Sequence, residues 1–143
     1  IDHFKTINDT YGLDCGDEAL RRVAHIFTDT IRKQDQVSRW GGEEFLILLP
    51  ETNEQGAYTL AEKIRKVVEE KSVKCDGSSI SFTVSFGISV YNSSELLEWS
   101  IKKADMVLYA AKQGGRDRTE VFKPEFEKNQ KEKEWLAPKI VEK

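Results

Sequence analysis

Arg39-Trp40-Gly41-Gly42-Glu43-Glu44-Phe45-Leu46-Ile47-Leu48-Leu49 sets two glycines and two carboxylates between a polar strand candidate, Gln36 to Trp40, and an apolar run closed by Pro50. The pattern predicts a hairpin with a chemical tip. Glycine reaches positive φ without steric cost, so Gly41-Gly42 is expected to make the reversal and to leave the backbone bare for an anion. Adjacent strand residues face opposite ways, so one of Glu43 and Glu44 is expected in a cleft and the other on the far side of the hairpin. Hard carboxylate oxygens beside a phosphate-accessible turn suit Mg²⁺. A solvated edge kept soluble by its glutamates is the alternative, and the short pattern alone leaves both open.

Working outward, the chain has 143 residues and a formal net charge of −3. That length fits one domain with its own core. Charges of both signs are interspersed, with no basic stripe, so no nucleic-acid partner is expected. Cys15 and Cys75 fall in no CxxC or Cys/His pattern and are expected to be reduced thiols, with neither a zinc site nor a disulfide. Apolar runs are too short for a membrane span and the N-terminus lacks the form of a signal peptide. A cytoplasmic domain without membrane contact is expected. With no initiator methionine and no strand ahead of Ile1, the expectation is a shortened chain.

Leu20, Val23, Ala24, Phe27 and Ile31 recur at helical spacing, predicting a helix from Asp17, as its N-cap, to about Arg32. His25, between these positions, reads as a surface residue. Ala57, Leu60, Ala61, Ile64, Val67 and Val68 predict a second helix from about Asn53 to Lys71. Asp76-Gly77 is a turn signal, and strict alternation from Ile80 to Val90 predicts one long strand whose Ser, Thr and Gly face lets a helix approach. Ser93 or Ser94 is expected to cap a third helix with a buried stripe of Leu97, Ile101, Ala104, Leu108 and Ala111. Gly114-Gly115 marks its end, and Lys112 and Arg116 there suit either the helix dipole or a phosphate. Thr119 to Phe122 reads as a short last strand, and residues 123–143 as a charged tail or connector.

The hairpin, with Asp2-His3-Phe4-Lys5-Thr6-Ile7-Asn8-Asp9, Tyr11-Gly12-Leu13-Asp14-Cys15-Gly16-Asp17, Arg32-Lys33-Gln34-Asp35 and Lys102 to Arg116, resembles the GGDEF family of diguanylate cyclases in its GGEEF form, from Ile1 to Arg118. Leu13 departs from the family's GHxxGD pattern, where a histidine is usual. The resemblance implies an α/β fold over residues 1–122, with a mainly antiparallel central sheet flanked by helices, similar to nucleotidyl cyclases and the polymerase palm. It implies that the domain lacks its first strand, whose metal aspartate would fall one place before Ile1, so turnover by this chain is expected to be slow.

The implied reaction joins two GTP molecules into cyclic di-GMP and two pyrophosphates in a homodimer, with Mg²⁺ or Mn²⁺. The resemblance assigns Glu43 and the Ile1 carbonyl to the metal, Glu43 also to the proton, and Glu44 to their support. Lys5 stabilises transition-state charge, Phe4 shapes the wall, Gly41 and Gly42 admit the nucleotide, Asn8 and Asp17 read guanine, and Lys112 and Arg116 hold the phosphates. Arg32 and Asp35 form an inhibitory product site. An upstream sensor or receiver domain is implied as partner. A silent module that binds GTP or cyclic di-GMP is the rival reading, and monocyclisation of ATP or GTP ranks below it.

Overall fold

The computed structural model describes residues 1–126. Its elements run α1 (Phe4–Tyr11), α2 (Leu13–Thr30), β1 (Gln36–Arg39), β2 (Phe45–Leu48), α3 (Glu54–Glu70), β3 (Val73–Cys75), β4 (Ser78–Ile80), β5 (Phe86–Ile88), α4 (Leu97–Gln113) and β6 (Thr119–Val121). The α/β character and the mainly antiparallel pairing follow the sequence. The strands, however, pair two by two: β1 with β2 and β3 with β4 antiparallel, β5 with β6 parallel. The tail reading for 123–143 lies, from residue 127 onward, outside the described residues.

The core forms where α2 and α3 turn their apolar faces to the strands. Cys15, Ala19, Val23, Ile26 and Phe27 of α2 meet Ile64 and Val68 of α3, together with Val73, Ile80, Phe82 and Val84. Fully burying a side chain of this size contributes roughly 1.5–3 kcal/mol. Phe27 also packs edge-on against Phe45, with ring centroids 5.2 Å apart, which joins the hairpin to this core. Asn53 caps α3 by accepting from Gly56 N at 2.8 Å, so the helix itself starts one residue inside the expected boundary.

Three local expectations are corrected. α2 starts at Leu13 behind Gly12, which has φ 95°, so Asp17 lies inside the helix and is not its N-cap. The cap of α4 is Leu96 without a side-chain bond, because Asn92 takes Ser94 into a turn of its own, accepting from its N and Oγ at 3.0 Å. The long strand over 80–90 is two short ones. β4 folds back on β3 through Asp76-Gly77, both with positive φ, and between β4 and β5 the side chains of Phe82 and Val84 are buried while Thr83 is engaged by Asp2. Its small-residue face behaves as expected: a Cβ on Gly87 would stand 2.1 Å from Ala104 O, so α4 lies directly on β5.

The apolar stripe of α4 is displaced from the core. Ser100, Val107 and Ala111 are its buried residues, while Leu97, Ile101, Ala104 and Leu108 line a groove of about 690 Å³ between β2 and β5. Among the described residues β2 pairs only with β1, and β5 only with β6, so each strand leaves one edge unpaired beside this groove. Ile1 and Asp2 enter at one end and bond to both sides, Ile1 N to Glu43 O at 3.2 Å and Asp2 N to Thr83 O at 2.9 Å.

Cys15 and Cys75 form a disulfide, against the expectation of two thiols, with Cα atoms 5.7 Å apart across 60 residues. Packing of the first turn of α2 against β3 brings them together, a juxtaposition that their spacing does not announce. Closing a loop of this length restricts the unfolded chain, so Cys75→Ser is expected to lower the unfolding free energy by about 2–4 kcal/mol in urea titrations. Unchanged stability would show that the bond contributes nothing.

Candidate active site

The hairpin tip is built without positive φ at Gly41 or Gly42. Trp40 N and Gly41 N both donate to Glu44 O, at 2.8 and 3.3 Å, and the Arg39 guanidinium donates twice to Gly42 O, at 3.0 and 2.7 Å. The loop is therefore closed by hydrogen bonds, and the glycines matter for what they lack. A Cβ on Gly42 would meet nothing within 4 Å, and one on Gly41 would meet only Glu44, so this surface stays bare.

Because the tip is a loop and not an extended strand, Glu43 and Glu44 do not take opposite faces. Both line the groove where Ile1, Asp2 and Lys112 also line it. Lys112 Nζ stands 3.7 Å from Glu44 Oε1. Glu43's carboxylate makes no hydrogen bond or ion pair among the described residues. Two half-buried carboxylates, one of them free, are a donor set that fits a hard divalent cation.

A second group forms where α1 packs on α2. Phe4 and Asn8 stand over Gly16, where an added Cβ would lie 1.7 Å from Asn8 Oδ1 and 3.4 Å from Phe4 Cζ. Asn8 Oδ1 is buried without a hydrogen-bond partner. An orphaned buried acceptor is costly to fold, and a ligand with N–H donors would satisfy it. Asp17 is exposed, one residue on from Gly16, in a hollow of about 370 Å³ with Asp14, Glu18, Arg21, Cys75 and Asp76. No hydrogen bond joins it to Asn8 among the described residues. Lys5 is exposed on α1.

Arg32 and Asp35 meet away from both groups. Asp35 is buried, and its carboxylate takes Arg32 N at 2.8 Å, Nε at 3.2 Å and a terminal nitrogen at 3.0 Å. Those bonds hold Asp35 below the usual carboxylate range. The same guanidinium reaches Pro50 O at 2.9 Å and Thr52 Oγ1 at 2.6 Å, bracketing the exit of the hairpin. His25 is a surface residue, 3.2 Å from Asp29.

Arg116 follows α4 with φ 63°, and Asp117 with φ 47°. Here the structure shows residues that sequence reasoning passed over. Arg65 reaches Glu62 at 2.5 Å and Asp117 Oδ1 at 2.8 Å, and Thr119 Oγ1 donates to Glu62 at 3.1 Å. Glu62 first and Asp117 second hold the Arg65 guanidinium above its usual range, and Arg65 lowers Glu62. Asp2 is 3% exposed and takes bonds from Thr83, Ser85 and Asp117. The polar face of residues 81–85 was the available signal for Asp2, since small hydroxyls facing a buried element need a partner.

A free carboxylate, a carboxylate paired with a lysine and a bare glycine tip thus border one groove, and an orphaned amide oxygen stands apart from them over Gly16. The family profile described as diguanylate cyclase, GGDEF domain, matches residues 1–118, and the chain belongs to that family. Members of the family handle GTP and cyclic di-GMP and need a divalent metal. Diguanylate cyclase A of Treponema denticola is 46% identical over 124 residues, 86% of this chain and 33% of that protein. The chain thus spans about a third of the length of that curated relative. The GGDEF domain of DgcB from Caulobacter crescentus, solved in complex with c-di-GMP, superposes with a TM-score of 0.81 at 34% identity, covering 85% of this chain and 72% of that one. The active GGEEF domain of a diguanylate cyclase from Vibrio cholerae gives 0.77 at 35%, covering 86% and 78%. Among the described residues no helix is long and apolar enough to cross a membrane.

Proposed function

We propose that residues 1–122 are the catalytic domain of a diguanylate cyclase that condenses two GTP molecules into cyclic di-GMP and two pyrophosphates. The observation that carries this reading is the gathering of Glu43, Glu44 and Lys112 beside Ile1 at one end of the groove. Each 3′-hydroxyl attacks the α-phosphorus of the other nucleotide, its proton passes to Glu43, and pyrophosphate leaves. Two copies must face each other for this, which a two-fold homodimer provides. Positioning and charge neutralisation dominate such transfers.

Glu43, with Glu44 and the Ile1 carbonyl, would hold Mg²⁺ or Mn²⁺, which when bound neutralises phosphate charge and favours the attacking alkoxide. Lys112 and Arg116 hold the phosphates and Lys5 meets charge developing at the reacting centre. Asn8 and Asp17 accept from the guanine N1–H and N2–H₂ edge, which adenine lacks. Phe4 walls this nook. The unpaired edges of β2 and β5 leave room for one more extended strand, and we place on it the first metal carboxylate that the family resemblance implies. A sensor or receiver domain upstream would control the encounter of two copies.

Incubation with Mg²⁺ and either GTP or ATP, followed by pyrophosphate release, tests the assignment. Release from GTP alone supports it. Release from ATP at the same rate would contradict guanine selection, and none from either leaves a binding module in its place.

Arg32 and Asp35 are proposed as the product site, since a guanidinium can address guanine O6 and N7 in parallel and suits phosphate. Arg32→Ala is expected to abolish cyclic di-GMP inhibition and to spare GTP binding. Inhibition that survives the change would reduce the pair to the structural bracket between α2 and the hairpin exit.

A further inference from the structure

We propose that Asp2, which belongs to neither the metal set nor the base-reading set, is a positioning residue that fixes Arg116 by gripping the backbone of the residue after it. The inference rests on the cyclase reading above, in which Arg116 faces phosphate. Asp2 Oδ1 accepts from Ser85 Oγ at 2.8 Å, and Oδ2 accepts from Thr83 Oγ1 at 2.7 Å and from Asp117 N at 3.0 Å. Its own N–H is taken by Thr83 O at 2.9 Å. A carboxylate so placed has nearly all its capacity used by neighbours, and it connects positions 115 residues apart in the chain.

What it grips is an improbable turn. Arg116 and Asp117 are consecutive non-glycine residues in the left-handed region, after Gly115 at φ 114°. Such backbone persists only where its surroundings over-determine it. Four ties do so: Arg116 N to Ala111 O at 3.0 Å, Arg118 Nε to Arg116 O at 3.1 Å, Arg65 to Asp117 Oδ1 at 2.8 Å, and Asp2 to Asp117 N. The first two are local to the turn. Arg65 and Asp2 set its place against the rest of the fold, and only Asp2 also continues into Ile1, which bonds to Glu43 O beside the metal carboxylates. One buried side chain therefore keeps the phosphate arginine in register with the hairpin glutamates.

The link predicts a loss confined to phosphate recognition. In Asp2→Ala the Asp117 N–H and two hydroxyls lose their acceptor, and GTP affinity is expected to fall roughly 10-fold or more, while guanosine affinity, which draws on Asn8 and Asp17, stays unchanged. Asp2→Asn restores most of the loss, because its amide oxygen still accepts from Asp117 N and its NH₂ can donate to Ser85. Thr83→Val with Ser85→Ala removes the two hydroxyls that hold the Asp2 carboxylate in place and is expected to show a smaller loss of the same selective kind, so the role is tested even if the alanine variant does not fold. The measurement is displacement of a fluorescent guanine nucleotide by GTP and by guanosine, on the whole chain. Equal losses for both ligands, or GTP affinity unchanged in the Thr83→Val, Ser85→Ala variant, would overturn the positioning role. Failure of the unaltered chain to bind GTP would instead remove the cyclase reading on which the role rests.

Discussion

Glu43→Gln is expected to slow cyclic di-GMP formation on the order of 10²–10⁴-fold, the usual range for losing a positioned proton acceptor. The substitution keeps the size of the side chain and removes its charge. Glu43's carboxylate has no partner among the described residues, so no structural bond is broken and thermal stability should stay within roughly 0.5 kcal/mol of the parent. Its main-chain oxygen still accepts from Ile1 N. Guanine recognition, placed on α1 and α2, is also untouched, so GTP should still bind with the metal contribution reduced. A rate within about 10-fold of the parent would move the proton and the metal to another group, with Glu44 the neighbour in line.

The next largest effect is expected at the base. Asp17→Ala removes a carboxylate that can accept two guanine donors, and GTP affinity should fall by an amount equivalent to about 1–3 kcal/mol, with ATP affinity unaffected. Since Asp17 lies inside α2 and is exposed, no helix cap is lost and stability should hold. Calorimetry with both nucleotides reads the difference. Equal GTP affinity in parent and variant would leave Asn8 as the only reader, through the oxygen that the fold leaves unpaired.

The helices were legible because apolar residues recur on one face and because glycine and asparagine mark ends; α3 differs from its expected bounds by one residue at each end. The hairpin was legible from Gly41-Gly42 between two strand patterns, though its closure was not. Hydrogen bonds from Arg39 and the tip backbone do the work assigned to positive φ, and no local pattern announces them. Alternation over 80–90 identified the buried face from Ile80 to Val84, while Phe86 and Ile88 are half-buried and Val90 is exposed; continuity of a strand depends on a partner along its whole edge, and pairing is a property of distant segments.

The same reason hides the longest connections. Cys15 with Cys75, Asp2 with Asp117 and Arg65 with Asp117 are set by how helices stack on strands. Of the candidate site, Glu43, Glu44 and Lys112 were found through the family resemblance and do come together. Phe4 and Asn8 meet over Gly16, while Asp17, the next residue, lines a hollow with Asp14 and Asp76, and Arg32 binds its own Asp35.

The mass of the nucleotide formed from GTP and Mg²⁺ is the most direct measurement of what this chain does. Cyclic di-GMP, with two pyrophosphates released for each molecule formed, is the expected product. Cyclic GMP with one pyrophosphate, or GTP recovered unchanged at a chain concentration where dimers form, would contradict the assignment of a diguanylate cyclase.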